Sequence, residues 1–210
     1  MTHTDMIAKI CTAAPVIPVL TIDRVQDAQP LARALVAGGL PALEITLRTD
    51  AAMEAIAAVA EVEGALAGVG TLLTTAQIRD AKSAGATFGV SPGATDSIIK
   101  AAQDYDLPLL PGAATATEAM RLLEQGFVFQ KFFPAEAAGG APALGSMAGP
   151  LPQITFCPTG GVTPENAKTY LALPNTRCVG GSWIAPKALI DAGDWDKITQ
   201  IARRAADLLA

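Results

Sequence analysis

The stretch FVFQKFFPAE, residues 127–136, sets one lysine in a run of phenylalanines. Side chains of a strand alternate between two faces. Phe127, Phe129, Lys131 and Phe133 are therefore expected on one face, and Val128, Gln130 and Phe132 on the other. An ammonium group buried without a partner is costly, so Lys131 must reach water, be paired, or be present for its chemistry. An ordinary lysine, with a pKa of about 10.4, holds only a trace of neutral amine at pH 7. Apolar neighbours and a nearby arginine both favour the neutral amine, which attacks a ketone to form a Schiff base. Permanent pairing with Glu44 and plain phosphate binding together weigh as much on position alone.

Two further groups of residues could join this chemistry. In LEITLR, residues 43–48, alternation puts Glu44, Thr46 and Arg48 on one face and Leu43, Ile45 and Leu47 on the other. Polar groups on an inner face need partners. One reading is a structural salt bridge. The other is a carboxylate for proton transfer and a guanidinium for a bidentate grip on a substrate carboxylate. The runs PTGG (158–161) and GGS (180–182) each end a strand-like segment. Glycines let backbone N–H groups approach a ligand, and such amides bind phosphate. Gly160, Gly161, Gly180 and Gly181, with Thr159 and Ser182 beside them, are thus read as a phosphate site, with turn geometry as the alternative. Thr71 and Pro92 end two more strand-like runs and could line the same pocket. Cys157 reads as core, because the only histidine, His3, lies near the N-terminus and offers no base to activate a thiol.

These residues must be carried by regular elements. Eight β-type runs recur at 16–22, 42–47, 66–73, 87–93, 108–114, 127–134, 154–161 and 177–183. Helical patterns lie between them. A first helix is expected over 4–13 and another over 26–37, stopped by Gly38-Gly39. Asp50 can cap 51–62, Thr75 can open 76–84, and Asp96 can cap 97–104. Thr115 and Glu118 spell a capping box for a helix stopping at Gly126. Thr163-Pro164 places a cap before a proline, and Asp194 opens a final amphipathic helix to about residue 209. The segment 137–150 gives only a short helix. Eight such units predict an α/β fold, a (β/α)8 TIM barrel with an extra N-terminal helix, as one domain over residues 1–210. An open doubly wound sheet is the alternative. In a barrel the C-terminal strand ends carry function, and the unusual residues gather there.

The chain of 210 residues is 50% hydrophobic and 17% charged, which suits a folded domain with a sizeable core. A net charge of −5 gives no basic footprint for nucleic acid or an anionic membrane. No apolar run reaches the length of a membrane span, and the N-terminus lacks the pattern of a secretion signal. Three widely spaced cysteines read as reduced thiols of a cytoplasmic protein. A single histidine leaves no histidine-based metal site or Ser-His-Asp triad.

The segments LVAGGLPALEITLRT, GVGTLL, SPG, KFFPAEAAGG, FCPTGGVTPEN and CVGGSW, taken in order, resemble the 2-keto-3-deoxy-6-phosphogluconate (KDPG) aldolases and their 4-hydroxy-2-oxoglutarate (KHG) aldolase relatives. The resemblance spans nearly the whole chain. It implies a (β/α)8 barrel, a homotrimer, and class I aldol chemistry with no metal or organic cofactor. It makes Lys131 the Schiff-base lysine, Glu44 the general acid/base and Arg48 the ligand of the substrate carboxylate. Thr71 and Pro92 fall at the pyruvate end. Thr159 becomes a polar contact, and Gly160, Gly161, Gly180, Gly181 and Ser182 fall to the phosphate. The implied partners are a phosphorylated keto acid and pyruvate. KHG and the galactonate epimer of KDPG remain alternative substrates. A phosphosugar isomerase barrel and a non-catalytic phosphometabolite sensor remain alternatives of other classes.

Overall fold

A computed structural model describes residues 2–209 of the chain. Helix α1 (His3–Ala13) opens it, followed by β1 (Val16–Leu20), α2 (Val25–Ala37), β2 (Ala42–Thr46) and α3 (Ala52–Ala60). Then come β3 (Leu66–Gly70), α4 (Thr75–Ser83), β4 (Phe88–Val90), α5 (Asp96–Asp104), β5 (Leu109–Leu110), β6 (Gly112–Ala113) and α6 (Ala116–Glu124). The last part holds β7 (Phe129–Phe132), α7 (Gly140–Ser146), β8 (Thr155–Pro158), α8 (Ala167–Leu171), β9 (Val179–Gly181), α9 (Lys187–Ala192) and α10 (Trp195–Ala206). A single 3-10 turn, Asp207–Leu209, follows. Among the described residues no helix is long and apolar enough to cross a membrane.

The architecture is α/β, with a parallel sheet curled into a half-barrel. Six strands run in the order β5-β4-β3-β2-β1-β9, and a separate arc runs β6-β7-β8. Isolated bridges Phe156↔Thr176 and Thr159↔Gly180 join β8 to the β9 segment. Alternation sorts the strand side chains into two apolar layers. Leu43, Ile45 and Val69 point outward to meet Leu31, Leu35, Ile56 and Ile198 of the helices. Ile17, Ala42, Phe88, Val90, Leu110, Cys157 and Cys178 point inward and pack against Ile7, Ile10 and Cys11 of α1. Burying each of Ile7 and Ile10 contributes roughly 1.5–3 kcal/mol before ordering costs, which holds α1 against the sheet. His3 Nε2 meets Asp106 Oδ1 at 2.7 Å and pins the start of α1. A Thr2–Asp5 capping box closes the same end.

Several boundaries differ from expectation. The strand expected over 108–114 is split in two at Pro111, which has no N–H to give to a ladder. Its carbonyl still accepts from the Lys131 N–H at 2.8 Å. Thr163-Pro164 does not start a helix. Asn166 holds that segment in a turn, accepting from Thr163 N–H at 2.8 Å and donating to the Gly161 carbonyl at 3.1 Å, so α8 begins at Ala167. Asp50 caps nothing by hydrogen bond, and the caps of α4 and α5 are Thr74 and Thr95, one residue earlier than expected. The Thr115–Glu118 box and the Asp194 cap stand as read. The short helix α9 carries no expectation from the sequence.

Candidate active site

On β2, Leu43 and Ile45 fill the helix layer, which leaves Glu44 and Thr46 on the inner face. On β7, Gln130 turns outward and donates to the carbonyls of Ala119 (3.0 Å) and Phe127 (2.9 Å). Phe129 and Lys131 therefore point inward. Phe127, expected on their face, precedes the strand. Its N–H still closes α6 on the Leu122 carbonyl at 3.0 Å, and its ring packs into the helix layer.

Across the interior, Lys131 Nζ donates to Glu44 Oε1 at 3.2 Å. The two residues are 5% and 3% exposed. Nζ also stands 5.2 Å from the centre of the Phe133 ring, within cation–π reach. Desolvation offsets most of the Coulomb attraction of a buried ion pair, and apolar replacements are often as stable. Stability therefore gives no reason for a pair at this position, which favours a chemical one. Inner-face glycines make the room. A Cβ at Gly70 would collide with the Glu44 carboxylate, and one at Gly180 with the Thr159 hydroxyl.

Arg48, Lys131, Thr159, Gly160, Gly161, Gly180 and Ser182 meet around one pocket together with Val19, Phe133 and Val162. It offers about 90 Å³ of open space. One water needs on the order of 10–15 Å³ on this measure, so a ligand of several heavy atoms fits. Its lining residues include two formal cations, Lys131 and Arg48, and no carboxylate, in a chain of net −5. Among the described residues no carboxylate pairs with Arg48, which is exposed at the rim. A larger depression of about 600 Å³ lies near α5 and α6, lined by Asp96, Glu118 and Arg121. It holds no buried amine.

The remaining candidates, Thr71, Pro92 and Gly181, are not among the residues that line this pocket. Thr71 directly follows Gly70 and has φ +64°, a left-handed conformation that is strained for a residue with a Cβ and concentrates at functional sites. Pro92 is half-buried, and its carbonyl lies where a Cβ of Gly112 would stand. Gly112 is the register partner of Lys131. Gly181 faces the Trp183 ring in the helix layer and does not line the pocket. Thr46 is fully buried and donates to the Leu20 carbonyl at 2.8 Å, a bond that serves the sheet. Val19 and Val162 line the pocket without having been singled out in the sequence. Inward parity on β1 could have marked Val19; Val162 lies beyond the end of β8, after the Gly160–Gly161 turn, where alternation gives no signal.

Cys157 is buried in the inner apolar layer, with Sγ 3.9 Å from Thr159 Oγ1. Cys11 and Cys178 lie in the same layer. Hydrogen bonding with Cys11 and Cys157, reinforced by burial, pushes the Cys178 thiol well above its usual range.

The chain is similar to known proteins over nearly its whole length. The family model "KDPG and KHG aldolase" matches residues 7–201. The KHG/KDPG aldolase of Escherichia coli K12 is 48% identical over 199 residues, covering 94% of this chain and 93% of the relative. The KDPG aldolase of Legionella pneumophila, solved with pyruvate captured at low pH as a covalent carbinolamine intermediate, superposes with a TM-score of 0.91 at 45% identity. That match covers 94% of this chain and 96% of the other. The KDPG aldolase of Zymomonas mobilis ZM4, solved with 3-phosphoglycerate, gives 0.92 at 47% identity, covering 99% and 97%. The chain belongs to the KDPG and KHG aldolase family.

Proposed function

We propose that the chain is a class I aldolase that reversibly cleaves KDPG to pyruvate and glyceraldehyde 3-phosphate. The observation that carries this reading is the buried Lys131–Glu44 contact at the edge of the Arg48 pocket. Proton transfer from Lys131 to Glu44, directly or through a water, frees an amine to attack the C2 ketone. Glu44 then returns the proton as the carbinolamine loses water. The resulting iminium draws electrons from C3. Removal of the C4 hydroxyl proton breaks the C3–C4 bond, releases the aldehyde and leaves an enamine on Lys131. Protonation at C3 and hydrolysis liberate pyruvate. The iminium is itself the electron sink, so the sequence of steps calls on no metal or organic cofactor.

Arg48 grips the substrate carboxylate, while Thr71 and Pro92 border the pyruvate end. Thr159 supplies a polar contact. Gly160, Gly161, Gly180, Gly181 and Ser182 receive the phosphate; Gly181 does so through its main chain, since its Cα side faces Trp183. The pyruvate adduct of the Legionella protein supports the lysine assignment. The 3-phosphoglycerate of the Zymomonas protein supports a phosphorylated ligand. The double name of the Escherichia coli relative supports KHG as a second substrate.

The six-stranded sheet and the three-stranded arc are read as one closed eight-stranded barrel forming a single domain. Support comes from β5 and β6 flanking Pro111 as halves of one strand, and from the bridges between β8 and β9. A cytoplasmic homotrimer rests on the family resemblance, and sedimentation tests the oligomer. The chemistry is tested by adding borohydride with pyruvate. A covalent adduct on Lys131 is expected in the wild type and not in Lys131→Ala. Release of pyruvate from KDPG, followed by a coupled assay, tests the substrate; failure of both would remove the aldolase reading.

A further inference from the structure

Glu136 and Tyr170 stand beside the Gly160–Gly161 turn and take no part in the steps above. They border a separate depression of about 420 Å³ together with Gly140 and Asn166. Tyr170, on α8, is fully buried, and its hydroxyl donates to Glu136 Oε1. A buried phenol needs an acceptor, and Glu136 supplies one from an exposed position just after β7. The main chain there runs alongside the turn. Ala135 N–H donates to the Thr159 carbonyl at 2.8 Å, and Glu136 N–H to the Gly160 carbonyl at 3.0 Å. The Glu136 stem fills the place of a side chain at 161: a Cβ on Gly161 would fall 2.6 Å from Glu136 Cγ. Gly161 itself has φ +80°, which a glycine adopts without strain. The turn is thus held on one edge by the 135–136 main chain and underneath by the Glu136 stem. The stem is held in turn by Tyr170.

We propose that Glu136, anchored by Tyr170, is a positioning residue that fixes the Gly160–Gly161 turn in the shape that receives the anionic group of the substrate. This rests on the assignment of that turn to phosphate. Burial, then the Glu136 hydrogen bond and charge, hold the Tyr170 proton far above the usual tyrosine range. Tyr170 therefore stays a donor at neutral pH. The same bond points the carboxylate at a donor, which limits its repulsion of a neighbouring anion.

Inorganic phosphate, used as a competitive inhibitor of pyruvate release from KDPG, is the probe. Glu136→Ala is expected to raise the phosphate Ki and the KM for KDPG about five- to tenfold, the factor that goes with one anchoring hydrogen bond. kcat should fall by less than KM rises. Glu136→Gln keeps the bulk and an acceptor and should restore most of the loss, while Tyr170→Phe should move Ki in the same direction. Pyruvate capture on Lys131 involves no phosphate and should respond least. If these variants lower Tm but leave Ki and KM at wild-type values, the pair is structural only and the proposal is overturned. Should Glu136→Ala fail to fold, an unmoved Ki in both Glu136→Gln and Tyr170→Phe overturns it equally. A wild type that phosphate does not inhibit removes the phosphate assignment and this proposal together. Inhibition of the wild type with unmoved variants removes the positioning role alone.

Discussion

The interior has two levels that differ by one step of two residues along the same strands. At the lower level lie Ala42 on β2, Phe129 on β7 and Cys157 on β8; two residues on lie Glu44, Lys131 and Thr159. A step of two keeps the face and changes only the depth. The lower level is apolar or thiol and is stoppered by Ile7, Ile10 and Cys11 of α1. The upper level holds a buried ion pair and opens toward Arg48. What differs is the residue at one depth, with the fold unchanged. A dry floor below means the charges above have only each other, the pocket and a ligand as partners. Cys178 in that floor is held in its neutral form by hydrogen bonding with Cys11 and Cys157 and by burial.

The sharpest way to break this contrast is to remove the amine. Lys131→Ala should lower turnover roughly 10⁴-fold or more and abolish borohydride-trapped pyruvate. It also leaves Glu44 buried without its partner, at a cost of about 3–5 kcal/mol in urea denaturation. A Lys131→Met, Glu44→Gln double variant should recover most of that stability with no activity, separating chemistry from folding. Glu44→Gln alone should slow kcat about 10²–10⁴-fold while some adduct still forms, as mass spectrometry would show. The floor should answer in the opposite way. Ile10→Ala is expected to cost about 2–5 kcal/mol of stability and to leave kcat per folded molecule close to wild type. A large kcat loss there would show that the two levels are not separable.

The smallest expected effect is at the far rim. The His3 hydrogen bond first, then the charge of Lys82, hold the Asp106 carboxyl below the usual carboxylate range. A lowered carboxylate pKa stabilises the fold above its unfolded value, and that contribution is lost as pH falls through the folded value. Asp106→Asn should therefore lower Tm slightly at pH 7. In a calorimetric pH series the gap to wild type should close below about pH 4. A gap that widens in acid would contradict the sign.

Much of this was readable from local pattern. Alternation in LEITLR and in FQKF fixes which side chains face inward, because burial enforces a period of two. The Thr115–Glu118 box is legible because both of its bonds are local. The glycines of PTGG and GGS marked the rim of the pocket, although Gly181 turned out to make room for Trp183. Hidden from the sequence were contacts between distant segments. Cys11, Cys157 and Cys178 look unrelated until α1 closes over the strands. The Tyr170–Glu136 bond joins α8 to the segment after β7 and follows no spacing rule. Pro111 splits the expected strand because it has no N–H to give, and the halves on either side of it pair with β4 and with β7. The displaced start of α8 depends on Asn166 reaching back to Gly161.

That interruption at Pro111 has a mechanical corollary. Glu44 is carried by the six-stranded sheet and Lys131 by the three-stranded arc, so their contact depends on how β5 and β6 flank Pro111 and how β8 is bridged to the β9 segment. A misplacement of about 1 Å between the two side chains can cost about a hundredfold in rate while every helix stays wound. Turnover followed during gentle warming should therefore fade before circular dichroism registers any melting.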